Sequence, residues 1–526
     1  MNKCEEDIKK RLDRLANVNI SCLPPNEKDI PVLQKLIEAS KLMDEIFLRQ
    51  VYRENPKIRD NLLASKDIVD RMRLEYFMWN KGPWDRLDGD KPFIGNEEKN
   101  KGAEFYPNDM TKEEFESWIK EHPEDEKSFK SYYTVIRRKG DKLIAVPYSE
   151  EYKEFLEPAS KLLREAAELS ENKSLKKFLL SRAEAFLSND YSQSEVDWIK
   201  LDSDIEITIG PYEVYEDGLF GYKASFESCV TIKDREESEK LKIYAKHLKE
   251  IDSSLPVDKK FKFTKKSQTS PISVVTEIFT GGDASSGYRF QAFNLPNDEK
   301  IREKYGSKKV LLKNIMKIKF DELVKPLGES IIDGSQVKYI SFDSHFNFVL
   351  FHELSHGIGP GQIILDDGSK VTVNDRLKEL YNPLEEAKAD IAGLYCAQYF
   401  MERDVIEKKD KELYVTYLNN LFRLFRLGLN EAHGKAGAVE YNYLKERGAI
   451  SFDKSSEKFK VEYDRIKRSV PEFLKELLDI QAEGSYENAR NFLDAYGHLP
   501  KEVEDALGKI ENIKVDINPH FSNNFY

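Results

Sequence analysis

The stretch Phe351-His352-Glu353-Leu354-Ser355-His356-Gly357 contains two histidines four residues apart, with a glutamate directly after the first. Side chains four residues apart lie on the same face of an α-helix, so both imidazoles can bind one metal ion. The glutamate can then reach a water molecule on that ion. Apolar residues precede the motif, and the glycines and proline of 357–361 predict that the helix ends there.

Chance does not readily explain this pattern. With eight histidines in 526 residues, the motif is expected by chance in about one chain in a hundred of this composition. The alternative is a buried helix whose two histidines only form hydrogen bonds. We therefore predict a metal site on this helix.

A second motif, Asn382-Pro383-Leu384-Glu385-Glu386-Ala387-Lys388-Ala389-Asp390, follows further along the chain. Asparagine and proline favour the first positions of a helix, which predicts a helix beginning at Asn382. Glu386 and Asp390 then share one face of it. A catalytic zinc site has three protein ligands and one open position. We predict Glu386 as the third ligand and Asp390 as the acceptor for the N–H of a ligand histidine.

Two interpretations of this second motif remain open. Glu385 either completes a capping box with Asn382 or contributes to the metal site. Glu386 is either the third ligand or a solvated acid on the helix surface. The small residues Gly393 and Ala397 continue the face of Glu386. They favour the ligand interpretation, because they allow this helix to approach the histidine helix closely.

Composition narrows the class of protein. Of the 526 residues, 40% are hydrophobic and 34% are charged, which indicates a soluble globular protein with two large lobes or three domains. The net charge of −12 argues against a general nucleic-acid binder. No apolar run predicts a membrane span, and no apolar N-terminal segment predicts a signal peptide. The four cysteines lack metal-binding spacing, which favours a reducing cytoplasm.

The hydrophobic pattern changes along the chain. Apolar residues spaced by three and four in Pro31–Tyr52 and Ser160–Ala185 predict helices, whereas the alternating Ile205–Ile209 predicts a strand that breaks at Gly210-Pro211. Four segments are predicted: a mostly helical part (1–200), a strand-rich core (201–330), a helical metal-binding part (331–480) and a C-terminal segment (481–526).

The two motifs together resemble those of dipeptidyl peptidase III, the M49 family of zinc exopeptidases. Most of that family carries H-E-x-x-G-H, followed by a motif similar to E-E-C-R-A-E/D. The first motif here has the shorter five-residue form, as in a divergent branch with bacterial and plant-like members. Some plant relatives carry a Nudix domain before this module, but no Nudix box occurs in this sequence.

The likeness extends beyond the two metal motifs. Ile205–Gly210 is similar to the family strand that binds the substrate's amino terminus, and Phe293-Asn294-Leu295-Pro296-Asn297 is similar to its I-N-x-P-N segment. Glu431–Ala436 contains A-H-x-x-A, which the family has at this place. The resemblance therefore covers at least Ile205–Ala436.

Position by position, the resemblance implies a role for each matching residue. The roles are zinc ligand for His352, His356 and Glu386, general base for Glu353, stabilisation of the tetrahedral intermediate for His433, and binding of the substrate's α-ammonium and first peptide unit for Glu206, Asn294 and Asn297. The family usually has a tyrosine two residues after the glutamate, where this chain has Thr208. We therefore expect dipeptide release to dominate without being exclusive.

The resemblance also implies an α+β fold of two lobes separated by a wide cleft. One lobe would be mostly helical and bind one Zn²⁺ per chain, and the other would have a β-barrel-like core with helices. The implied function is removal of dipeptides from the free N-terminus of short peptides by metal-activated water. The protein would act as a cytoplasmic monomer that binds neither nucleic acid nor membranes.

Two other functions remain open. A zinc aminopeptidase or oligopeptidase without the two-residue ruler is one, and Thr208 allows it. A non-catalytic peptide-binding protein is the other. The intact Glu353 speaks against the second, because binding alone requires no general base.

Overall fold

The computed structural model describes residues 3–22, 26–265 and 271–522 and has the predicted α+β class. Its α-helices are α1 (Lys3–Leu12), α2 (Ile30–Val51), α3 (Asn55–Ala64), α4 (Ile68–Asn80), α5 (Lys112–Glu121), α6 (Glu126–Phe129), α7 (Tyr148–Glu151), α8 (Lys153–Leu169), α9 (Lys173–Ser188), α10 (Ser192–Ile199), α11 (Arg235–Ser254), α12 (Glu299–Tyr305), α13 (Lys313–Lys319), α14 (Lys325–Ile331), α15 (Phe342–Ser355), α16 (Val373–Leu377), α17 (Tyr381–Glu402), α18 (Asp410–Phe425), α19 (Ala432–Glu446), α20 (Tyr463–Glu483), α21 (Tyr486–Tyr496) and α22 (Lys501–Lys509). Its strands are β1 (Leu15–Ile20), β2 (Trp84–Asp85), β3 (Lys91–Pro92), β4 (Thr134–Lys139), β5 (Lys142–Pro147), β6 (Ile205–Glu213), β7 (Ser225–Lys233), β8 (Phe263–Lys265), β9 (Ile272–Gly282), β10 (Ala292–Leu295), β11 (Lys308–Leu312), β12 (Pro360–Ile364), β13 (Lys370–Thr372), β14 (Ile450–Asp453), β15 (Lys458–Val461) and β16 (Asp516–Phe521).

These elements form two compact units, each built from separate parts of the chain. The first comprises Met1–Ser238, Pro271–Ile315 and Asp516–Tyr526, and the second comprises Glu239–Ser270 and Met316–Val515. The predicted segments 201–330 and 481–526 are each divided between the units, because the chain crosses from one to the other four times. Sequence composition divides a chain only into contiguous segments, so it could not predict units built from separate parts of the chain. Residues 523–526 of the last segment lie outside the described residues.

The first unit contains a five-stranded sheet with the order β10-β11-β9-β7-β6. Strand β9 pairs antiparallel with β7 and parallel with β11, and β7 pairs antiparallel with β6. Helix α2 packs against β7 and β9. The edges are β10 and β6, and within residues 271–522 and 26–265 no pairing closes this sheet into a barrel.

Strand β6 continues through Gly210-Pro211, where the pattern predicted a break. Gly210 has φ +145°, and a Cβ at this position would lie 2.2 Å from Nη1 of Arg182. Arg182 donates a hydrogen bond to the Ile209 carbonyl and pairs with Glu195 in the interior. Glycine is required here because the guanidinium fills the space of a side chain. Pro211 is tolerated because β6 is an edge strand.

Helix α2 confirms the helix predicted over Pro31–Tyr52. The predicted helix Ser160–Ala185 is instead divided between α8 and α9. Asn172 ends the interruption, since its side chain accepts hydrogen bonds from two backbone N–H groups of the first turn of α9. Helix α11 lies inside the segment that was predicted to be strand-rich. It was missed because its many polar residues obscure the apolar spacing by which a helix is predicted.

The second unit is mostly helical, as predicted. Helices α15, α17, α18, α19 and α20 pack together, and short strands connect them. Helix α15 follows the N-cap Ser341 and ends at Ser355, with His356 as its C-cap, just before the glycines that predicted its end. Helix α17 begins at Tyr381 after Leu380, so Asn382 does not form the predicted cap. In the described ranges, no helix combines the length and apolar character needed to cross a membrane.

Candidate active site

Helices α15 and α17 approach each other closely because α17 carries small residues, as predicted. A Cβ on Gly393 would lie 3.0 Å from the backbone nitrogen of His352. Lys388 is fully buried and donates to the carbonyl oxygens of Ser355 at 2.7 Å and Ile358 at 3.2 Å. These contacts attach α17 to the last turn of α15. They place Glu386 beside both histidines of the motif.

Three side chains converge where the sequence predicted a metal ion. The ligand atoms of His352, His356 and Glu386 all lie within 4.8 Å of one another. The two Nε2 atoms are 3.1 Å apart, and Oε2 of Glu386 lies 3.4 Å from that of His352 and 3.7 Å from that of His356. This Oε2 is buried and accepts no hydrogen bond of regular geometry. Two imidazoles and a carboxylate are typical zinc ligands, so the residues fit that metal.

Each histidine of this cluster has a carboxylate at its other ring nitrogen. Asp390 Oδ1 lies 2.5 Å from Nδ1 of His352, and Glu385 Oε1 lies 3.0 Å from Nδ1 of His356. Such contacts fix the ring orientation and leave Nε2 available for a metal. Of the two interpretations of Glu385, the structure therefore favours the metal site over the capping box.

His433 joins this cluster from α19. Its Nε2 lies 3.3 Å from Oε2 of Glu386, and its Nδ1 lies 2.7 Å from Oε1 of Glu431. Glu431 is also the N-cap of α19 and accepts hydrogen bonds from the N–H groups of His433 and Gly434. Glu353 lies between the two histidines of α15 and is half-buried.

The electrostatics of the cluster follow from these contacts. Burial acts to raise the pKa of Glu386, but the close contact with His352 and the charges of the surrounding imidazoles lower it to about 2. Burial acts to lower the pKa of His433, but Glu431 and Glu386 raise it above its ordinary value. Glu386 is therefore anionic near neutral pH, the state that a metal ligand requires.

Sequence reasoning missed residues that hold the ligands in place. Lys388 and Glu431 lie inside the quoted motifs, but neither was selected. Gln481, on α20, donates from Nε2 to Oε2 of Glu385 at 2.8 Å. No local pattern connects Gln481 with the metal motifs, since only packing brings α20 beside α17.

In the first unit, Glu206 is buried and already has protein partners. Ser273 Oγ donates to its carboxylate at 3.1 Å, and the ammonium groups of Lys308 and Lys233 lie 3.3 and 3.6 Å away. The charge of Glu206 is therefore compensated inside the protein.

The acid that lies beside Asn297 is Glu213, at the end of β6. Asn297 donates from Nδ2 to the carbonyl of Tyr212 at 3.1 Å, and its side chain also hydrogen-bonds Glu213. Asn294 Oδ1 is buried, and no group in the described part of the chain donates a hydrogen bond to it. The structure thus brings Asn297 together with an acid that sequence reasoning did not select, and it leaves an acceptor on Asn294 for a ligand.

Glu213 belongs to a group of three carboxylates, Glu213, Glu227 and Asp283, which we name the acid cluster. Burial and the charge of Asp283 raise the pKa of Glu213 to about 7. Burial and the other two acids raise the pKa of Glu227 well above its ordinary value. Burial raises the pKa of Asp283 to about 6, although Arg86 opposes this. The charges that act on Glu213 and Glu227 are thus those of other acids, whereas Arg86 lies near Asp283.

A sequence signal for Glu213 was available. The chain has an acid followed two residues later by a tyrosine at Glu213-Val214-Tyr215, seven residues after Glu206 on the same stretch. This is the spacing that Glu206-Ile207-Thr208 lacks. Tyr215 is 84% exposed.

Comparisons with known proteins agree with this geometry. The sequence pattern of Peptidase family M49 matches residues 124–399. Nudix hydrolase 3 of Arabidopsis thaliana is 36% identical over 98% of this chain and 74% of that protein, and dipeptidyl peptidase 3 of Dictyostelium discoideum is 26% identical over 68% of this chain and 58% of that protein. The solved structure of DPP III from Caldithrix abyssi superposes with a TM-score of 0.96 at 47% identity, covering 98% of this chain and 99% of that one. Dipeptidyl-peptidase III from Corallococcus sp. strain EGB gives 0.85 at 38% identity, covering 98% and 97%.

Proposed function

Because the chain belongs to peptidase family M49, we propose that it is a zinc-dependent dipeptidyl peptidase that shortens peptides from their free N-terminus. The observation that carries this proposal is the convergence of His352, His356 and Glu386 on one point. Oε2 of Glu386, which faces both histidines, has no regular hydrogen bond. The likeness to solved dipeptidyl-peptidase III structures over nearly the whole chain supports the choice of reaction.

The ligand atoms would be Nε2 of His352, Nε2 of His356 and Oε2 of Glu386. A zinc ion bound there would polarise the scissile carbonyl and acidify a water molecule. Asp390 and Glu385 accept hydrogen bonds at the two Nδ1 atoms, which keeps each Nε2 lone pair directed at the metal position.

Two further residues of the second unit perform proton transfer and charge stabilisation. Glu353 accepts a proton from the attacking water and delivers it to the leaving amine. His433 is held at Nδ1 by Glu431, and its raised pKa favours the protonated form. Its Nε2–H then donates to the carbonyl oxygen as that atom becomes negative, a contact typically worth about 3 kcal/mol.

Within this proposal, the acid cluster binds the substrate's α-ammonium. An ammonium supplies the positive charge that Glu213 and Glu227 lack, and Asn294 Oδ1 offers an acceptor. Glu206 remains the residue that the resemblance indicated, but an ammonium at that acid would have to compete with Lys308. We therefore assign the ammonium contact to Glu213.

The position of Asn294 supports binding of an extended peptide. It lies on β10, which among the described strands pairs only with β11 and forms one edge of the sheet. The unpaired side of an edge strand can form main-chain hydrogen bonds with an added peptide strand. Such pairing accepts any sequence and leaves the ammonium contact to define the end of the substrate.

The alternatives differ in what they require of the first unit. An aminopeptidase or oligopeptidase without the two-residue ruler was suggested by Thr208. Because Glu213 is followed by Tyr215 at the family spacing, that argument loses its basis. A binding-only protein would not need Glu353 and His433.

The cellular compartment and the oligomeric state of the protein are also part of the proposal. All four cysteines are free thiols, which supports the predicted reducing cytoplasm. We retain a monomer acting on short peptides.

Metal removal tests the proposed function. Wild-type protein should contain one zinc per chain, lose peptide hydrolysis on chelation and regain it with one equivalent of zinc. Glu386→Ala should contain far less than one zinc, whereas the exposed control Glu407→Gln should behave as wild type. Full activity without metal, or full zinc in Glu386→Ala, would contradict the proposal.

A further inference from the structure

Strand β6 contains an extra residue just before Glu213. Its pairing with β7 is regular as far as Pro211, which lies opposite Phe226. The next pair joins Glu213 to Ser225, so Tyr212 is an additional residue and forms a β-bulge. A bulge bends its strand and redirects the side chains that follow it, and bulges are frequent next to active sites.

The bulge decides which face of the sheet Glu213 occupies. Side chains alternate between the two faces along a strand, and residues directly opposite each other share a face. Glu213 lies opposite Ser225, and Ser225 and Glu227 are two residues apart on β7, so both acids lie on one face. Without the extra residue, Glu213 would lie on the opposite face, with the buried side chains of Ile207 and Ile209.

The register of the next strand adds the third acid. Glu227 lies between Gly210 of β6 and Gly282 of β9, its partners in the two adjacent strands. Neither glycine contributes a side chain to the face of Glu227, and Gly282 directly precedes Asp283. The pairing of β6, β7 and β9 therefore brings the members of the acid cluster together, provided that the bulge is in place.

Arg182 of α9 holds β6 at this bulge. It is fully buried, donates from Nη1 to the carbonyl of Ile209 at 2.9 Å, and pairs through Nη2 with Oε1 of Glu195 at 2.6 Å. Its guanidinium occupies the side-chain position of Gly210, where a Cβ would lie 2.2 Å from Nη1. The guanidinium carbon also lies 5.3 Å from the centre of the Tyr212 ring. Arg182 thus contacts β6 both before and within the bulge.

The backbone of the bulge also holds Asn297. Tyr212 presents its ring to the guanidinium of Arg182, and its carbonyl oxygen accepts a hydrogen bond from Nδ2 of Asn297 at 3.1 Å. A displacement of Tyr212 would therefore move Glu213 and Asn297 together. These are the two residues that the proposed function places at the substrate's first residue.

We infer that Arg182 is a positioning residue for substrate recognition, which fixes the bulge of β6 and thereby orients Glu213 towards the substrate's α-ammonium. The inference rests on the proposed function, because Glu213 has this role only if the enzyme binds a free ammonium. Arg182 is too deeply buried to touch the substrate itself. Its charge is compensated by Glu195, so it acts through the geometry of the strand.

The test compares cleavage of one peptide and its N-acetylated form by zinc-loaded, full-length protein. Wild type should favour the free peptide by about 10- to 100-fold in kcat/KM. Arg182→Met/Glu195→Met replaces a buried ion pair by apolar residues, an exchange that is often neutral for stability. This double variant should favour the free peptide by less than about threefold, since a misplacement of about 1 Å can cost about 100-fold.

The acetylated peptide provides the internal control of the same experiment. Its kcat/KM should stay within about threefold of wild type in Arg182→Met/Glu195→Met, because the acetylated peptide does not use the ammonium contact. Arg164→Met/Glu184→Met removes an exposed ion pair between α8 and α9 and should keep the wild-type preference. A wild-type preference in Arg182→Met/Glu195→Met, or equal losses for both peptides, would overturn the inference.

A third substitution shows whether Arg182 acts through Glu213. In wild type, Glu213→Gln should largely abolish the preference for the free peptide. In the Arg182→Met/Glu195→Met background, it should change the preference by less than about twofold, because the effects of coupled residues are not additive. If Glu213→Gln reduced the preference by the same factor in both backgrounds, the inference would be wrong.

Tyr212→Leu keeps the inference testable if Arg182→Met/Glu195→Met does not fold. It removes the ring beside the guanidinium but leaves the buried ion pair and every backbone group of β6. The preference for the free peptide should fall by at least about threefold, because the ring and the guanidinium hold each other in place. An unchanged preference in folded Tyr212→Leu would contradict the role of the bulge.

The wild-type measurement separates this inference from the proposed function. If wild type cleaved both peptides equally, the proposed ammonium site would be refuted, and the role of Arg182 with it. If wild type favoured the free peptide and the variants at Arg182 and Tyr212 did so to the same extent, only the inference would be refuted.

Discussion

The buried acids of the two units have opposite electrostatic surroundings. In the second unit, imidazoles lower the pKa of Glu386 to about 2 despite burial. In the first unit, burial and the charge of Asp283 raise the pKa of Glu213 to about 7. Glu206, on the same strand as Glu213, is compensated by Lys308 and Lys233. Burial alone therefore does not distinguish these acids, whereas the charges around them do, and under the proposed function the uncompensated acid is the one that binds the ligand's positive charge.

The largest expected effect concerns the second unit. Glu353→Gln should bind zinc normally but lower kcat by about 10²- to 10⁴-fold, because a general base acts in the chemical step and not in coordination. Steady-state kinetics together with metal analysis check this outcome. If the variant kept wild-type turnover, a different residue would have to serve as the base. Glu407→Gln provides the matched surface control.

The next effect distinguishes the two acids of β6. Blocking a peptide's N-terminus removes a charge-assisted contact, so cleavage by wild type should fall by about 10- to 100-fold, equivalent to about 1.5–3 kcal/mol. Glu213→Gln should largely abolish this discrimination, mainly by slowing the free-amine peptide. In Glu206→Gln the discrimination should remain.

Paired kcat/KM values for one peptide and its acetylated form check the assignment. Loss of discrimination in Glu206→Gln together with its survival in Glu213→Gln would reverse it and restore the role that the resemblance first implied for Glu206.

A smaller effect is expected on stability. Glu213 has an ordinary pKa of 4.5 and a folded pKa of about 7. Its contribution to stability is therefore fully present below about pH 4.5 and is lost as pH rises through about 7, because the unfolded chain ionises first. Glu213→Gln avoids this loss. Its free energy of unfolding relative to wild type should therefore rise by about 2 kcal/mol from about pH 5 to about pH 8.

Denaturant unfolding at the two pH values checks this sign. Glu206→Gln is the contrasting variant, because it leaves Lys308 without its acid and should destabilise the protein at both pH values. If the difference in the free energy of unfolding between Glu213→Gln and wild type did not change with pH, the charge of Glu213 would have to be compensated in the folded protein.

The smallest expected effect is the number of protons released when a dipeptide binds. An ammonium bound to the acid cluster should lower the raised pKa values there, so binding of a free dipeptide near about pH 6.5 should release up to about one proton. Calorimetry in buffers of different ionisation enthalpy measures this number. Acetylated dipeptide, or Glu213→Gln with free dipeptide, should release distinctly less. Equal proton release in all three cases would place the ammonium elsewhere.

The candidate metal site was largely predictable from sequence, because helical spacing puts its side chains on common helix faces and small residues on α17 allow the two helices to approach. His352 and His356 share a helix face in any context, and Glu386 and Asp390 share another. The residues that hold these ligands were less accessible, since Gln481 reaches the site only through packing of a distant helix.

The first unit shows more clearly what the sequence pattern does not predict. Glu206 and Glu213 occur in similar alternating sequence, and only the fold shows that Lys308 reaches one and Asn297 the other. The continuation of β6 through Gly210 likewise depends on a guanidinium from another element. Charge compensation and backbone space are long-range properties, so local spacing does not report them.

The central claim is that this chain measures its substrate from a free ammonium and releases two residues at a time. The most direct test is a time course of one synthetic octapeptide and its N-acetylated form, incubated with zinc-loaded wild-type protein and analysed by mass spectrometry. The account predicts successive loss of dipeptides from the free peptide and little cleavage of the acetylated one. Equal cleavage of both peptides, or release of single residues or internal fragments, would contradict it.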